Sequence, residues 1–169
     1  EVLARFWNVH FNRSFQKLRF YPTFPGPQSS QDSYAAWHML QDNEFYRENA
    51  LGFFDDLLRS TAGSVAMLVY LDNDKNVFGN TNENWARELL ELFSMGERDV
   101  TAGTPNYTQS DVIEVARSFT GWQVVSLGTN PPTFAGGFGP PALHDTGRKR
   151  LFTNLAHPLV IPGGQSAQV

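Results

Sequence analysis

The amino-acid sequence predicts a mainly α-helical protein of several helices that ends in an irregular, short-stranded C-terminal segment. Three observations carry that expectation. Apolar residues recur at three- and four-residue spacing through much of the first 122 positions, as on the buried face of a helix. Side chains suited to helix capping stand at the starts of those runs. After Trp122 the helical spacing stops and Pro, Gly and Phe take over. The 169 residues are read as one domain, with a helical core over 1–122 and an irregular segment over 123–169.

In chain order, Leu3, Phe6, Trp7, His10 and Phe11 mark a first helix that fades before Tyr21-Pro22. The prolines and glycine between Pro22 and Ser30 make a loop. A second helix is expected over Asp32 to Gln41. Asp42 then caps a third, carrying Phe45, Tyr46, Ala50, Phe53, Phe54, Leu57 and Leu58. Gly52 lies inside that third helix, at a cost of about 1 kcal/mol against Ala, and Gly63 ends it. Ser64 caps a short, nearly all-apolar helix, Val65 to Leu71, which belongs in the core.

Asp72 to Asn82 reads as a polar loop. Asn82 caps a helix over Glu83 to Met95, with Gly96 as its terminal glycine. Thr108 and Asp111 have the spacing of a capping box and open a helix bearing Val112, Ile113, Val115, Ala116 and Phe119. Gln123 to Leu127 reads as a short strand. Asn130 to Pro141 reads as an ordered loop or small hairpin whose Phe134 and Phe138 form a candidate contact surface. His157-Pro158 belongs to a turn. Both ends look cut, so the chain is expected to be a fragment of a longer one.

Composition narrows the function classes. The net charge is −4 and the basic run Arg148-Lys149-Arg150 is short, which argues against nucleic acid as a partner. With no cysteine, disulfides, thiolate metal sites and cysteine nucleophiles are excluded. No stretch has the roughly 20 apolar residues of a membrane span. The 14 Phe, 4 Trp and 5 Tyr imply a thick core or an aromatic-lined groove.

Candidate chemistry centres on three places. On the 83–95 helix, Asn84, Arg87, Glu88 and Glu91 form one polar stripe. The stripe reads as a solvated face, as a buried network joined to Glu114 and Arg117 of the next helix, or as a carboxylate pair, Glu88 and Glu91, for acid–base work. The loop Asp72 to Glu83 places Asp72, Asp74, Asn76 and Glu83 roughly as the oxygen ligands of a calcium loop, although Val77 stands where such loops have glycine. His10, His144 and Asp145 are candidates for a general base or a metal ligand if the fold gathers them near the striped helix.

Several runs resemble a bacterial family, the domain of unknown function 1800. They are Phe6 to Phe11, Tyr46 to Gly52, Ala66 to Asp72, Asn82-Glu83-Asn84-Trp85-Ala86-Arg87-Glu88-Leu89-Leu90-Glu91-Leu92, Tyr107 to Val112 and Ala116 to Trp122. His144-Asp145-Thr146-Gly147-Arg148-Lys149 is similar to the family's His-Asp-x-Gly-x-Lys element. The resemblance implies a mainly helical, commonly exported protein, periplasmic or extracellular, and no established reaction. Trp85 replaces the usual tyrosine, Phe93 a common histidine, and Glu97 to Asn106 is a long insertion. Three functions are therefore expected in competition. The first is a binding or assembly component whose partner is a protein or a surface polymer. The second is a hydrolase using Glu88 or Glu91 with His10 or His144. The third is a calcium-stabilised structural module.

Overall fold

Helix forms over most residues where apolar spacing predicts it, but the expected first helix is broken at residues 11–14, and the expected second and third are joined across Asp42 and broken at residues 49–53. The computed structural model describes residues 1–130, 132–154 and 158–164, so the turn expected at His157 lies outside it. The helices are α1 (Val2–His10), α2 (Phe15–Arg19), α3 (Gln28–Glu48), α4 (Phe54–Gly63), α5 (Val65–Tyr70), α6 (Asn84–Glu88) and α7 (Gln109–Ser118). The strands are short: β1 (Trp122–Ser126) pairs with β2 (Phe134–Phe138), and β3 (Lys149–Leu151) with β4 (Leu159–Ile161). The protein is thus mainly α with short C-terminal strands. Its described residues divide into two compact units, one of 1–71 with 124–137, the other of 72–123 with 138–169. That division follows packing and not the change of composition after Trp122.

In the first unit the largest departure from expectation is α3. Asp42 does not start a new helix; it sits inside α3. Its carboxylate is drawn instead into an ion pair with Arg13, Nε to Oδ2 at 3.1 Å, and accepts a hydrogen bond from Ser64 Oγ at 2.7 Å. Ser64 in turn accepts from Met67 N and so caps α5, as its place before an apolar run suggests. Arg13 also donates to Phe11 O, to Asn8 Oδ1 and to Tyr46 Oη, and Tyr46 Oη shares a 2.7 Å bond with Thr61 Oγ1. Burial pushes the Asp42 carboxyl up, against the pull of Arg13. The Tyr46 phenol is pushed up to about 12, mainly by burial. Gly52 lies outside any helix, in the turn between α3 and α4, where its N–H donates to Asn49 O at 2.8 Å.

The core of this unit gathers Leu18, Phe24, Ala35, Val65, Ala66, Val69 and Phe134. Phe134 is therefore not a contact surface. It is 5% exposed, with its ring 5.1 Å from Phe24 and 5.4 Å from Tyr34. Gly136 explains the inward seating of β2, because a Cβ there would lie 1.9 Å from Gly63 O.

In the second unit α6 starts one residue later than expected, with Glu83 and not Asn82 at its N-cap, and Asn82 Oδ1 accepts from Asn84 N at 2.9 Å in the turn that leads in. The helix does not continue as α to Met95. From Leu89 to Phe93 it widens into a π-helical segment. Groups beyond the segment meet its loosened carbonyls: Ser94 Oγ donates to Leu89 O, and Gly96 N, at a φ of 75°, donates to Leu90 O at 2.9 Å. The capping box at Thr108 and Asp111 forms as read. Asp111 does a second job, since its other oxygen accepts from Phe152 N just beyond β3. Ala86, Leu90, Val112, Val115, Ala116 and Leu151 make the core. Trp85 is buried beside it, 5.8 Å from Phe93 and 5.7 Å from Phe119. β3 and β4 are antiparallel, with Lys149 opposite Ile161 and Leu151 opposite Leu159.

His38 makes the first unit acid-sensitive. It is buried, stacked on Phe24 at 5.8 Å, and its Nε2 has no hydrogen-bond partner among the described residues. Burial holds its pKa down to about 4, from 6.5. The unfolded chain therefore binds a proton between those values that the folded chain does not. The His38 contribution is present in full above pH 6.5 and is lost as pH falls toward 4. Denaturant melts at pH 7 and pH 4 are expected to show a larger drop in stability for the native chain than for His38→Phe, the difference approaching about 3 kcal/mol. Parallel pH curves for the two proteins would contradict this.

Candidate functional site

The densest group of polar side chains in the second unit is built where α7 ends. Thr120 lies just beyond the helix; its Oγ1 donates to Arg117 O at 2.8 Å and accepts from Asp145 N at 2.8 Å. That single hydroxyl ties the 144–149 segment to the helix terminus. Arg117 projects from the last turn of α7 and grips Asp145 with two donors, Nε to Oδ2 at 2.8 Å and Nη2 to Oδ1 at 3.3 Å. Its third nitrogen donates to Glu114 Oε1 at 2.5 Å. Glu114 uses its other oxygen to accept from Arg150 N at 2.9 Å, in the middle of β3. Gly147 N donates to Asp145 Oδ1 at 2.7 Å.

Lys149 completes the group from β3. It is 1% exposed, and its ammonium donates to Asp145 O and lies 4.0 Å from Asp145 Oδ1. Hydrogen bonding from Arg117 holds the Asp145 carboxyl below the usual range, more strongly than burial raises it. The Arg117 guanidinium is held protonated, chiefly by its bond to Asp145. Burial lowers the Lys149 ammonium, with Asp145 opposing. His144 is buried beside this group. Its Nδ1 lies 2.8 Å from Thr120 O, and because a carbonyl only accepts, Nδ1 carries the proton. Gly121, at a φ of 87°, lets His144 approach; a Cβ there would stand 3.3 Å from His144 Cβ. Phe138 packs edge-on to the imidazole at 5.9 Å and against Trp122 at 4.8 Å.

The sequence-predicted residues divide accordingly. Glu114, Arg117, His144 and Asp145 come together. Asn84 and Arg87 do not join them, because both are exposed. Arg87 pairs instead with Glu83 at 3.1 Å and Gln109 at 3.0 Å, and Gln109 also donates to Glu83 at 2.8 Å. The stripe is thus a solvated face, because the broad apolar side of the helix takes the core and leaves these groups outside. Glu88 is half-buried and Glu91 exposed. Burial and then the neighbouring Glu91 raise the Glu88 carboxyl, while Tyr107 Oη donates to Glu91 at 3.4 Å. His10 belongs to the first unit, where Phe6, Trp7, Phe11 and Phe54 rings surround it.

The calcium-loop reading meets a different use of the same residues. Asn76 is fully buried, its amide nitrogen donating to Asn73 Oδ1 and Ala116 O and its oxygen accepting from Asn82 N. Asp72, at a φ of 56°, pairs with Lys75 at 2.5 Å, and Glu83 faces Arg87 and Gln109. Among the described residues no three His, Asp or Glu side chains converge as cation ligands would. The loop is organised by turn and amide chemistry instead.

Sequence reasoning missed Thr120, Gly147 and Lys149. The signal available was the spacing of the 144–149 element itself. Its histidine, aspartate, glycine and lysine each meet a distinct structural demand: a proton to a carbonyl, a carboxylate to Arg117, a close approach and a buried amine. It also missed the pairing of Arg13 with Asp42, which are far apart in the chain.

The chain belongs to the DUF1800 family, described as proteins of unknown function, whose family model matches residues 1–166. Comparison with curated proteins and with solved structures finds no match.

A Cβ at Gly147 would lie 2.8 Å from Arg117 Nη2 and 2.9 Å from Asp145 Oδ1. Gly147→Ala is therefore expected to force those partners apart and to destabilise the protein by about 1–3 kcal/mol in a denaturant melt. A loss below about 0.5 kcal/mol, the scale of an ordinary surface change, would contradict this.

Proposed function

We propose that this protein is a binding or assembly component of an exported or cell-surface complex, and that it engages another protein through an apolar face of its first unit. One observation carries the reading. On α1, Val2 is 82% and Val9 77% exposed, and Phe6, between them at helical spacing, is also exposed. Leu51 at 89% and Phe53 at 76% are also exposed, on the turn before α4. The two segments touch. Trp7 Nε1 donates to Ala50 O at 3.0 Å, and the Phe54 ring lies 6.0 Å from Trp7 and 6.3 Å from His10. Single exposed apolar residues are ordinary, but several large ones on two segments that pack together favour an interaction surface.

Export is supported by the family resemblance. Among the described residues no helix is long and apolar enough to cross a membrane. The hydrolytic alternative retains one favourable observation, the half-buried Glu88 with its raised carboxyl beside Glu91. Against it, the carboxylate of Asp145 is committed to Arg117 and Gly147, and Nδ1 of His144 to Thr120.

Tagged native chain, cross-linked in an envelope extract of its source and purified, is expected to bring down a defined partner. The double variant Val9→Glu with Leu51→Glu should lose that partner at least tenfold, with an unchanged circular dichroism spectrum and melting point. A partner retained in full by the variant, or no partner at all, would refute the reading.

A further inference from the structure

The loop after the first unit holds an open polar depression of about 480 Å³, lined by Lys75, Asn80, Thr81, Asn82 and Glu83. That volume lies in the range of small-ligand sites. The loop around it is held firmly. Asn76 anchors it from within and accepts from Asn82 N at 2.9 Å, Phe78 N donates to Leu143 O at 2.8 Å, and Asn80 N donates to Val77 O at 2.9 Å. Asn80 and Thr81 are exposed, and their side chains make no hydrogen bond to any described residue, although each carries both a donor and an acceptor. Their neighbours are already partly engaged: Asn82 Oδ1 accepts from Asn84 N, Glu83 Oε2 meets Arg87 and Gln109, and Lys75 pairs with Asp72.

The chemistry of this lining narrows the ligand. One ammonium, itself paired, is too little positive charge for a phosphate or a polyanion. One carboxylate among amides and a hydroxyl is a poor cation site. What remains is a set of amides and a hydroxyl that both give and accept hydrogen bonds, on a firmly held backbone and close to neutral in sum. Such an array matches a molecule whose own groups do both, that is, a polyhydroxyl ring. On the same turn as Asn80, Phe78 is 62% exposed, and an exposed aromatic ring offers a platform for the C–H face of a sugar. We propose that the second unit binds a neutral saccharide at this depression, with Asn80 and Thr81 as its hydrogen-bonding residues and Phe78 as a stacking residue. The proposal is independent of the protein-binding face described above.

The test titrates isotope-labelled chain with cellotetraose, chitotetraose and maltotetraose, following backbone amide shifts. The same chain is sedimented with cellulose, chitin and granular starch. Saturable shifts centred on residues 78–83 with one tetraose are the expected result. The double variant Asn80→Ala with Thr81→Ala is expected to weaken binding at least tenfold at an unchanged melting point, because neither side chain supports the fold. Phe78→Ala is expected to weaken it as well. Sedimentation with the matching polymer identifies an internal stretch of polysaccharide as the ligand, and its absence identifies free oligosaccharide; either supports the site. No saturable shift with any tetraose at millimolar concentration overturns it, as do shifts mapping away from 78–83 or undiminished binding by the double variant. The Val9→Glu, Leu51→Glu protein should bind sugar normally, so failure of either reading leaves the other standing.

Discussion

A carboxylate taken out of water must be met by cations and N–H donors, or it unfolds what surrounds it. Each unit of this protein has such a group where several of its elements meet. In the second unit it is Asp145, whose carboxylate receives Arg117 and Gly147 N, while its backbone N–H donates to Thr120 Oγ1 and its carbonyl accepts from Lys149. In the first it is Asp42, which receives Arg13 and Ser64. The partners come from different elements in each case, so meeting the charge and fastening the elements are one event. Arg117 brings α7, Lys149 brings β3, and Thr120 the turn between α7 and β1. Arg13 brings the segment between α1 and α2 to α3, and Ser64 brings the start of α5.

This constraint shows why part of the fold was legible in the sequence and part was not. Local signals were read well. Thr108 with Asp111 forms its capping box, and Ser64 caps α5. Those interactions span only a few residues, so their chemistry is visible in the order of the letters. Asp42 was misread by the same rule. It stands where a cap could stand, but an arginine 29 positions earlier offers it a better use (Arg13 and Asp42 are adjacent only after folding). The π-helical segment was invisible because Leu89 to Phe93 carry no unusual residue; Ser94 and Gly96 support the widened turn from outside it.

The candidate site was legible in part for the same reason. Glu114, Arg117, His144 and Asp145 were singled out as chemically capable groups, and they do come together. Asn84 and Arg87 were grouped with them on helix periodicity, but periodicity does not say which way a polar stripe faces. Here it faces water. The polar residues of the 144–149 element, with Glu114 and Arg117, are thus occupied in holding the fold. The groups left available for binding are plainer ones: apolar side chains on α1 and the turn before α4, and the amide and hydroxyl of Asn80 and Thr81. On the proposed reading, stability and recognition fall to separate residues.

The central claim is that Asp145 and Arg117 act as a fastening pair. A double-mutant cycle with Asp145→Asn, Arg117→Met and the double variant, read by denaturant unfolding, tests it most directly. The account predicts that each single change is costly, that the double costs far less than their sum, and that the coupling is about 1–3 kcal/mol. Additivity within about 0.5 kcal/mol would mean that the pair is incidental, and that its place in the structure must be explained by something other than stability.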